Sequence, residues 1–405
     1  MSRNRAAFWM FVLLLLSYVV NAMDRQIFSI LATDVRRDLG LTVPQVGFAA
    51  TVFTLGIGVA GLPTGYLMGV MSRKNVATIG LILFSVATFM TAYATSMADL
   101  LLYRFVSGLG EAMQLTALLA IGTTYFYKSR AVAASSLNFT FGIGAIIGPN
   151  LGAAILSTSG WKMPLIVFGV LGFVVLIPIL IFVKTWFTEV KVSDGDKQEL
   201  ALDNEEGLAD SIWAKKPVIL ALATVFAGFA IYSYLGLYPT FLREALGFTP
   251  KQAGFAVSFY GFGALLSLIG GFLGDRYDYR KVLFAALAIA AVSGGLLFTG
   301  MEKSLTLHSV FSFVFGGSIS GMVYSNLSAG VIKSVKRIHA SQASGLFVTS
   351  LYVPAAFTGY ILGALKEAIG WSTAGIIMVS GCAVIAAILS IVSGSGEAKT
   401  PATGK

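Results

Sequence analysis

Apolar residues in this chain come in long unbroken blocks. They do not show the alternation of a half-buried strand or the one-sided stripe of a surface helix. A helix that crosses a bilayer needs about 20 mostly apolar residues. Twelve blocks meet that length. Six are predicted near residues 7–31, 45–69, 76–94, 98–127, 131–157 and 161–184. Six more fall near 217–240, 251–274, 281–300, 304–332, 340–365 and 371–394. The first block has too long an apolar stretch for a signal peptide, and no small-residue cleavage site ends it. Between the two sets, residues 188–210 gather Asp194, Asp196, Glu199, Asp203, Glu205, Glu206 and Asp210. Such a stretch can neither span lipid nor form a core, so it reads as a hydrophilic linker with a short surface helix around Trp213. The expected architecture is an all-α polytopic membrane protein. It has a six-helix bundle over 1–187, a linker over 188–216, a second bundle over 217–395 and a tail over 396–405.

Composition narrows the class further. Of 405 residues, 56% are hydrophobic and only 12% charged, where a soluble domain carries about a quarter. A chain so poor in charge must have much of its surface covered by lipid. Its 45 glycines suit closely approaching membrane helices. The single cysteine, Cys382, excludes a disulfide framework and a cysteine metal site. His308 and His339 stand too far apart in sequence to suggest a histidine cluster. No nucleotide-binding loop, metal-ligand spacing or nucleophile–base pair occurs, so no enzyme and no cofactor is expected. The net charge of +9 could point to nucleic acid, but its distribution says otherwise. With the N-terminus in the cytoplasm, alternation of the spans puts 19 Lys and Arg on the cytoplasmic side, against 7 outside. That bias follows the positive-inside rule, with both termini in the cytoplasm.

Depth singles out four residues. Of 19 acids, only Asp24 and Glu111 fall well inside spans, and of 28 bases only Arg25 and Arg104 do. All four belong to spans 1 and 4. A charge at a helix centre costs at least about 2.5–3.5 kcal/mol, so such residues face a cavity and pair with one another. Arg104 and Glu111, seven apart, share one face of span 4, about 10 Å apart along its axis. Asp24 and Arg25 are neighbours and point about 100° apart, so one can face the cavity while the other turns to a neighbouring helix. A guanidinium grips an organic anion with two prongs and keeps its charge. Burial favours the neutral form of a carboxyl and a nearby Arg favours the charged form. A carboxyl whose Arg partner is periodically taken by substrate can therefore switch its proton, which couples a proton to an anion.

Two loops repeat. Gly65-Tyr66-Leu67-Met68-Gly69-Val70-Met71-Ser72-Arg73-Lys74 joins spans 2 and 3, and Gly271-Phe272-Leu273-Gly274-Asp275-Arg276-Tyr277-Asp278-Tyr279-Arg280-Lys281 joins spans 8 and 9. The second resembles the loop signature of the major facilitator superfamily. Further similarity lies in Arg104-x-x-x-Gly108-x-Gly110, Gly144-x-x-x-Gly148-Pro149-x-x-Gly152, Gly160-Trp161 and Gly370-Trp371. The resemblance implies two six-helix halves that rock around a central cavity, with a gating role for Arg73, Asp275, Arg276 and Arg280. Gly69 departs from the family, which usually has Asp there, an acid that helps latch the cytoplasmic side. Either other contacts close that gate or the inner latch is weaker. Asp24-Arg25 with Arg104 and Glu111 also resembles the anion:cation symporter family, which includes sugar-acid importers and sialin-type transporters. That likeness implies proton coupling for Asp24 and Glu111 and substrate binding or gating for Arg25 and Arg104. Ala22 stands where that family often has Tyr.

Asn21, Asn138, Tyr232, Tyr234, Asn326 and Tyr352 are further candidates to line the cavity, or alternatively to bond between helices. Arg104 could equally be a structural salt bridge. The expected function is proton-driven uptake of a small organic anion across a bacterial inner membrane, by a monomer in the lipid bilayer. The alternative is proton-driven export of a metabolite, drug or lipid-like amphiphile, because the Arg104–Ala112 run also resembles spinster-type transporters. A sensor that kept the fold without transport is a third class.

Overall fold

The structure, a computed structural model, describes residues 3–126, 130–190, 208–300, 303–336 and 339–393. Most of the expected acidic linker and the whole tail over 396–405 lie outside the described residues. Among the described residues, twelve helices are long and apolar enough to cross a membrane, as the sequence predicts. In the first half these are α1 (Arg3–Asp38), α2 (Val43–Thr51 continuing as Phe53–Val70), α3 (Arg73–Thr91), α4 (Met97–Tyr125), α5 (Arg130–Ser159) and α6 (Lys162–Phe182). The second half has α7 (Lys215–Glu244), α8 (Pro250–Ala264 continuing as Ser267–Arg276) and α9 (Tyr279–Phe298). It continues with α10 (Leu305–Lys333), α11 (Ala340–Ala355 and Thr358–Ile369) and α12 (Trp371–Val392). Outward-facing side chains such as Val174, Ile177, Ile181 and Phe182 on α6 are exposed and apolar, the surface a bilayer covers. α6 is the most apolar span, with a mean hydropathy of 3.1 over its best window.

Helix α1 extends well past its expected end, to Asp38, because Asp34 and Arg36 are held by the other half. The segment before α7 differs from expectation. Ala209 forms an isolated bridge to Val335, its N–H donating to the Ser334 carbonyl at 3.1 Å and its carbonyl accepting from Lys336 N–H at 3.0 Å. This pins the chain in an extended path, so the residues around Trp213 make a turn and not the predicted surface helix. Lys336 also pairs with Asp210 and holds that exposed carboxyl below the usual carboxylate range.

The halves meet most tightly on the face opposite the N-terminus, called the far face here. Arg243 grips both oxygens of Asp34 and donates to the Ile30 carbonyl at 2.9 Å. Arg36 reaches Glu244 at 2.7 Å. Between these pairs and the membrane centre the backbones touch: a Cβ on Gly47 of α2 would strike the Gly359 carbonyl of α11. Helix α11 breaks after Pro354–Ala355, and Thr51 satisfies the freed groups. Its hydroxyl donates to the Ala356 carbonyl at 2.7 Å and accepts from Gly359 N–H at 3.3 Å. Toward the N-terminal face the same helices part. On α2, Gly61 still has Val348 of α11 within 3.5 Å of a Cβ, whereas Gly65 and Gly69 have nothing within 4 Å. Tyr66 and Val70 are each 82% exposed. The molecule is closed at the far face and splayed at the N-terminal face.

This geometry makes the two far-face ion pairs a latch. Such partly exposed pairs contribute about 1 kcal/mol together, enough to shift a two-state equilibrium roughly fivefold. In a Cys382→Ser background with a thiol introduced by Ala264→Cys, at a residue that lines the space between the two halves, adding Arg36→Ala and Arg243→Ala is expected to speed labelling by an impermeant maleimide from the far side about fivefold. Unchanged labelling would show that the backbone contacts alone hold the far face shut.

Candidate functional site

The buried charges of the first half form one cluster. Helix α4 is started by a capping box, Ser96 with Asp99, and then presents Arg104, Ser107 and Glu111 at spacings of three and four, hence on one face. Glycines bring that face close to its neighbours. A Cβ on Gly108 would meet the Phe53 carbonyl of α2, and one on Gly110 would meet Gly80 and Phe84 of α3. Opposite stands α1, packed onto α5 where Gly144 and Gly148 admit Ala22 and Met23. Ala22 is fully buried in that contact, so a Tyr at this position would have no room. The tyrosine of this region is instead Tyr18, one turn earlier, which lines the central cavity.

All four charges are withdrawn from solvent: Asp24 and Glu111 are 0% exposed, Arg104 1% and Arg25 6%. They pair across helices. Arg25 Nε lies 2.8 Å from Glu111 Oε2. Arg104 Nη1 lies 3.4 Å from Asp24 Oδ2. Ser107 joins the two pairs, its Oγ standing 3.1 Å from Asp24 Oδ2 and 2.9 Å from Glu111 Oε1. The chain of polar contacts runs on. Arg25 Nε donates to Asn21 Oδ1 at 3.1 Å, Asn21 Nδ2 to Gln114 Oε1 at 2.8 Å, and Gln114 Nε2 to Ser17 Oγ at 2.8 Å. The guanidinium of Arg104 is held over the rings of Phe53 and Phe28, 4.8 and 5.2 Å from their centroids. Buried polar atoms remain without hydrogen-bond partners in the cluster, among them Arg25 Nη2, Arg104 Nε and Nη2, and Asp24 Oδ1.

The two arginines now separate. Arg25 lines a cavity of about 50 Å³ between the halves, and Arg104 does not. The same cavity is lined by Tyr18, Tyr232, Tyr260, Tyr324 and Tyr352. Asn138, Ser267 and Ser320 add polar groups, and Phe141, Ile231 and Leu351 an apolar wall. Ser320 belongs to a π-helical stretch, Gly317–Val323, inside α10. The cavity takes a few waters at this size and has to widen for a sugar-sized molecule. Arg25 is the only charged side chain in its lining among the described residues.

The remaining predicted positions sort by the same geometry. Asn138, Tyr232 and Tyr352 line the cavity with Arg25. Asn21 sits behind it, fully buried between Arg25 and Gln114. Tyr234 turns into the second bundle, stacked on Tyr238 and Tyr260 and donating to Ser312 at 2.8 Å. Asn326 ties α10 to α8 through the Gly270 carbonyl at 3.0 Å and borders a separate cavity of about 160 Å³ near the N-terminal face. Of the gating set, Arg73 donates to the Thr188 carbonyl at 3.4 Å, beyond the end of α6. Arg276 lies exposed over Phe272, and Arg280, partly buried, lies over Tyr279. The side chain of Asp275 lies outside the described residues. A Cβ on Gly69 would meet nothing within 4 Å, so packing does not demand a glycine there.

Two contiguous matches decide the family. The sequence model of the major facilitator superfamily matches residues 14–219 and again 220–404, one match for each bundle. This chain belongs to the major facilitator superfamily. It is a multi-pass membrane transporter of that type and not an enzyme. Among its relatives are a probable sulfoacetate transporter of Cupriavidus necator, 24% identical over 88% of this chain and 86% of the relative, and a hexuronate transporter of Escherichia coli K12, 24% identical over 90% and 88%. Among solved structures, a bacterial homologue of the human lysosomal transporter Spinster, in an inward-facing and occupied conformation, superposes with a TM-score of 0.75. It is 19% identical and covers 98% of both chains. These two bacterial relatives are named for small organic anions.

For this facilitator, sequence reasoning reached the four charges but not Ser107, Gln114, Tyr18, Tyr260 or Tyr324. Ser107 carried a signal, since it stands three after Arg104 and four before Glu111 on the same face. Because Arg104 is buried against Asp24, its removal leaves a buried acid without its partner, a loss of about 3–5 kcal/mol. Arg104→Ala is therefore expected to lower thermal stability in detergent strongly. Adding Asp24→Asn should restore most of that loss, and simple additivity of the two losses would contradict the pairing.

Proposed function

We propose that this transporter is a proton-coupled symporter. It carries a small organic anion, a carboxylate or sugar acid, into a bacterial cell by alternating access. It sits in the inner membrane with both termini in the cytoplasm and works as a monomer, with the proton as coupling ion and no other cofactor. On this reading the N-terminal face is cytoplasmic and the conformation described above is inward-facing.

The observation that carries the reading is the placement of Arg25. It is the one charged group lining the cavity among the described residues, and its back is against Glu111 at 2.8 Å. A carboxylate or sulfonate that enters the cavity competes with Glu111 for that guanidinium. Charge balance then sets the coupling. Two acids and two bases buried together sum to zero. An added anion leaves the cluster at −1 unless one acid takes a proton, and the net charge returns to zero when it does. In a low-dielectric site that difference is worth several kcal/mol, so anion and proton bind together. One proton per single negative charge follows, and the loaded carrier crosses without net charge in the cluster. The tyrosines, serines and Asn138 that line the cavity with Arg25 suit the hydroxyls of a sugar acid, and that polar lining favours this reading over a lipid-like amphiphile.

Asp24→Asn and Glu111→Gln keep size and hydrogen bonding but cannot release a proton. Net uptake needs a proton released to the cytoplasm in each cycle, whereas exchange of substrate for substrate does not. In proteoliposomes at least one of the two variants is expected to lose accumulation down a pH gradient by tenfold or more while counterflow stays close to wild type. The screen includes galacturonate and sulfoacetate among other carboxylates and sulfonates. Wild-type accumulation in both variants would remove these acids from the coupling path.

A further inference from the structure

The deepest contact in the cluster is made by a residue that neither bears charge nor lines the cavity. Ser107 is fully buried, and its Oγ lies within hydrogen-bond distance of both acids, 3.1 Å from Asp24 Oδ2 and 2.9 Å from Glu111 Oε1. A hydroxyl has one proton to donate and lone pairs to accept with, while an ionised carboxylate only accepts. With both acids ionised, Ser107 can fully satisfy just one of them. The other contact becomes a full hydrogen bond only when that acid carries a proton and donates it to Ser107 Oγ. The arrangement thus offers a place between the acids for the one added proton that charge balance calls for when an anion binds.

We propose that Ser107 is the proton bridge between Asp24 and Glu111. The step is a two-proton shift along three oxygens. The protonated acid passes its proton to Ser107 Oγ as the hydroxyl proton moves to the other acid. One O–H bond forms on the serine and one breaks, and the hydroxyl ends as it began but turned round. No other reactant is needed. The two ends of the bridge differ in access. Glu111 meets Arg25 at the cavity, where substrate arrives. Asp24 lies behind, against Arg104 at 3.4 Å, away from the cavity. The bridge lets the proton leave the acid that substrate disturbs without crossing the cavity. Other charged or titratable groups near this path are Tyr18 and Arg25 on α1, Arg104 on α4, and, from the second bundle, Tyr232 and Tyr352. Among the described residues only Ser107 hydrogen-bonds to both carboxyls. This role rests on the proton-coupled reading above.

The test uses the full chain in proteoliposomes, with labelled galacturonate, or sulfoacetate where wild type prefers it. Ser107→Ala is expected to lower accumulation driven by a pH gradient at least tenfold, with counterflow within about twofold of wild type. Ser107→Thr, which keeps the hydroxyl, is expected to recover most of the accumulation. A merely structural serine would lower counterflow and accumulation in parallel, and that result overturns the bridge. If Ser107→Ala accumulates as wild type does while Asp24→Asn or Glu111→Gln does not, the bridge is wrong and the coupling acids stand. If both acid variants accumulate normally, the coupling reading itself falls. Should Ser107→Ala fail to yield folded protein, Ser107→Cys, a weak donor and acceptor, takes its place with the same two readouts. Wild-type accumulation in that variant counts against the bridge.

Discussion

Four buried charges that sum to zero are the constraint on which this molecule is built. Asp24, Arg25, Arg104 and Glu111 could not be placed singly in a membrane bundle, since each would cost several kcal/mol. As a set they become tolerable only if the helices that bear them approach closely and in register. The glycines supply that approach. Gly108 and Gly110 let α4 lie against α2 and α3, and Gly144 and Gly148 let α5 lie against α1. The cluster therefore accounts for much of the packing of the first bundle. Among the described residues the second bundle adds no charged side chain to the cavity lining and provides aromatic walls instead, with Tyr232, Tyr260, Tyr324 and Tyr352 lining the cavity together with Arg25.

The same constraint connects packing to transport. Neutrality is satisfied in two ways, by the empty cluster with both acids ionised and by the cluster with one anion and one proton. States between them carry an uncompensated charge in a dry interior. Closure at the far face rests on different chemistry, partly exposed ion pairs and glycine contacts between the bundles. Such contacts are weak enough to part and re-form as the bundles rock. A strong buried cluster within one bundle and a weak latch between the two are what a moving carrier requires.

Much of this was legible in the sequence, and the reasons differ by element. The twelve spans follow from hydropathy alone, since a bilayer imposes the length. The four charges were visible because charge inside an apolar block is rare. Their pairing was not, because Asp24 and Arg25 differ only by about 100° of azimuth, and which one faces α4 or the cavity depends on how α1 is rotated. Tyr232 and Tyr234 are equally polar candidates by sequence, yet two residues along a helix are about 200° apart, so the two cannot both line one cavity. The far-face pairs were hidden by distance along the chain, Asp34 and Arg243 being 209 residues apart. Tyr18, Tyr260 and Tyr324 gave no signal, since tyrosine is common in apolar spans and at their ends.

Linkage between anion and proton can be measured without any gradient. Purified transporter in detergent is titrated with galacturonate or sulfoacetate in buffers of different ionisation enthalpy, and the protons taken up per anion bound are read from the slope of binding heat against buffer heat. The account predicts an uptake approaching one proton per galacturonate, which carries a single negative charge, at a pH where the empty cluster is unprotonated, and close to none when the acid that takes the proton, Asp24 or Glu111, is replaced by its amide. Tight anion binding with no proton uptake in the wild-type protein at any pH would contradict it, and would leave the four charges as structural ballast.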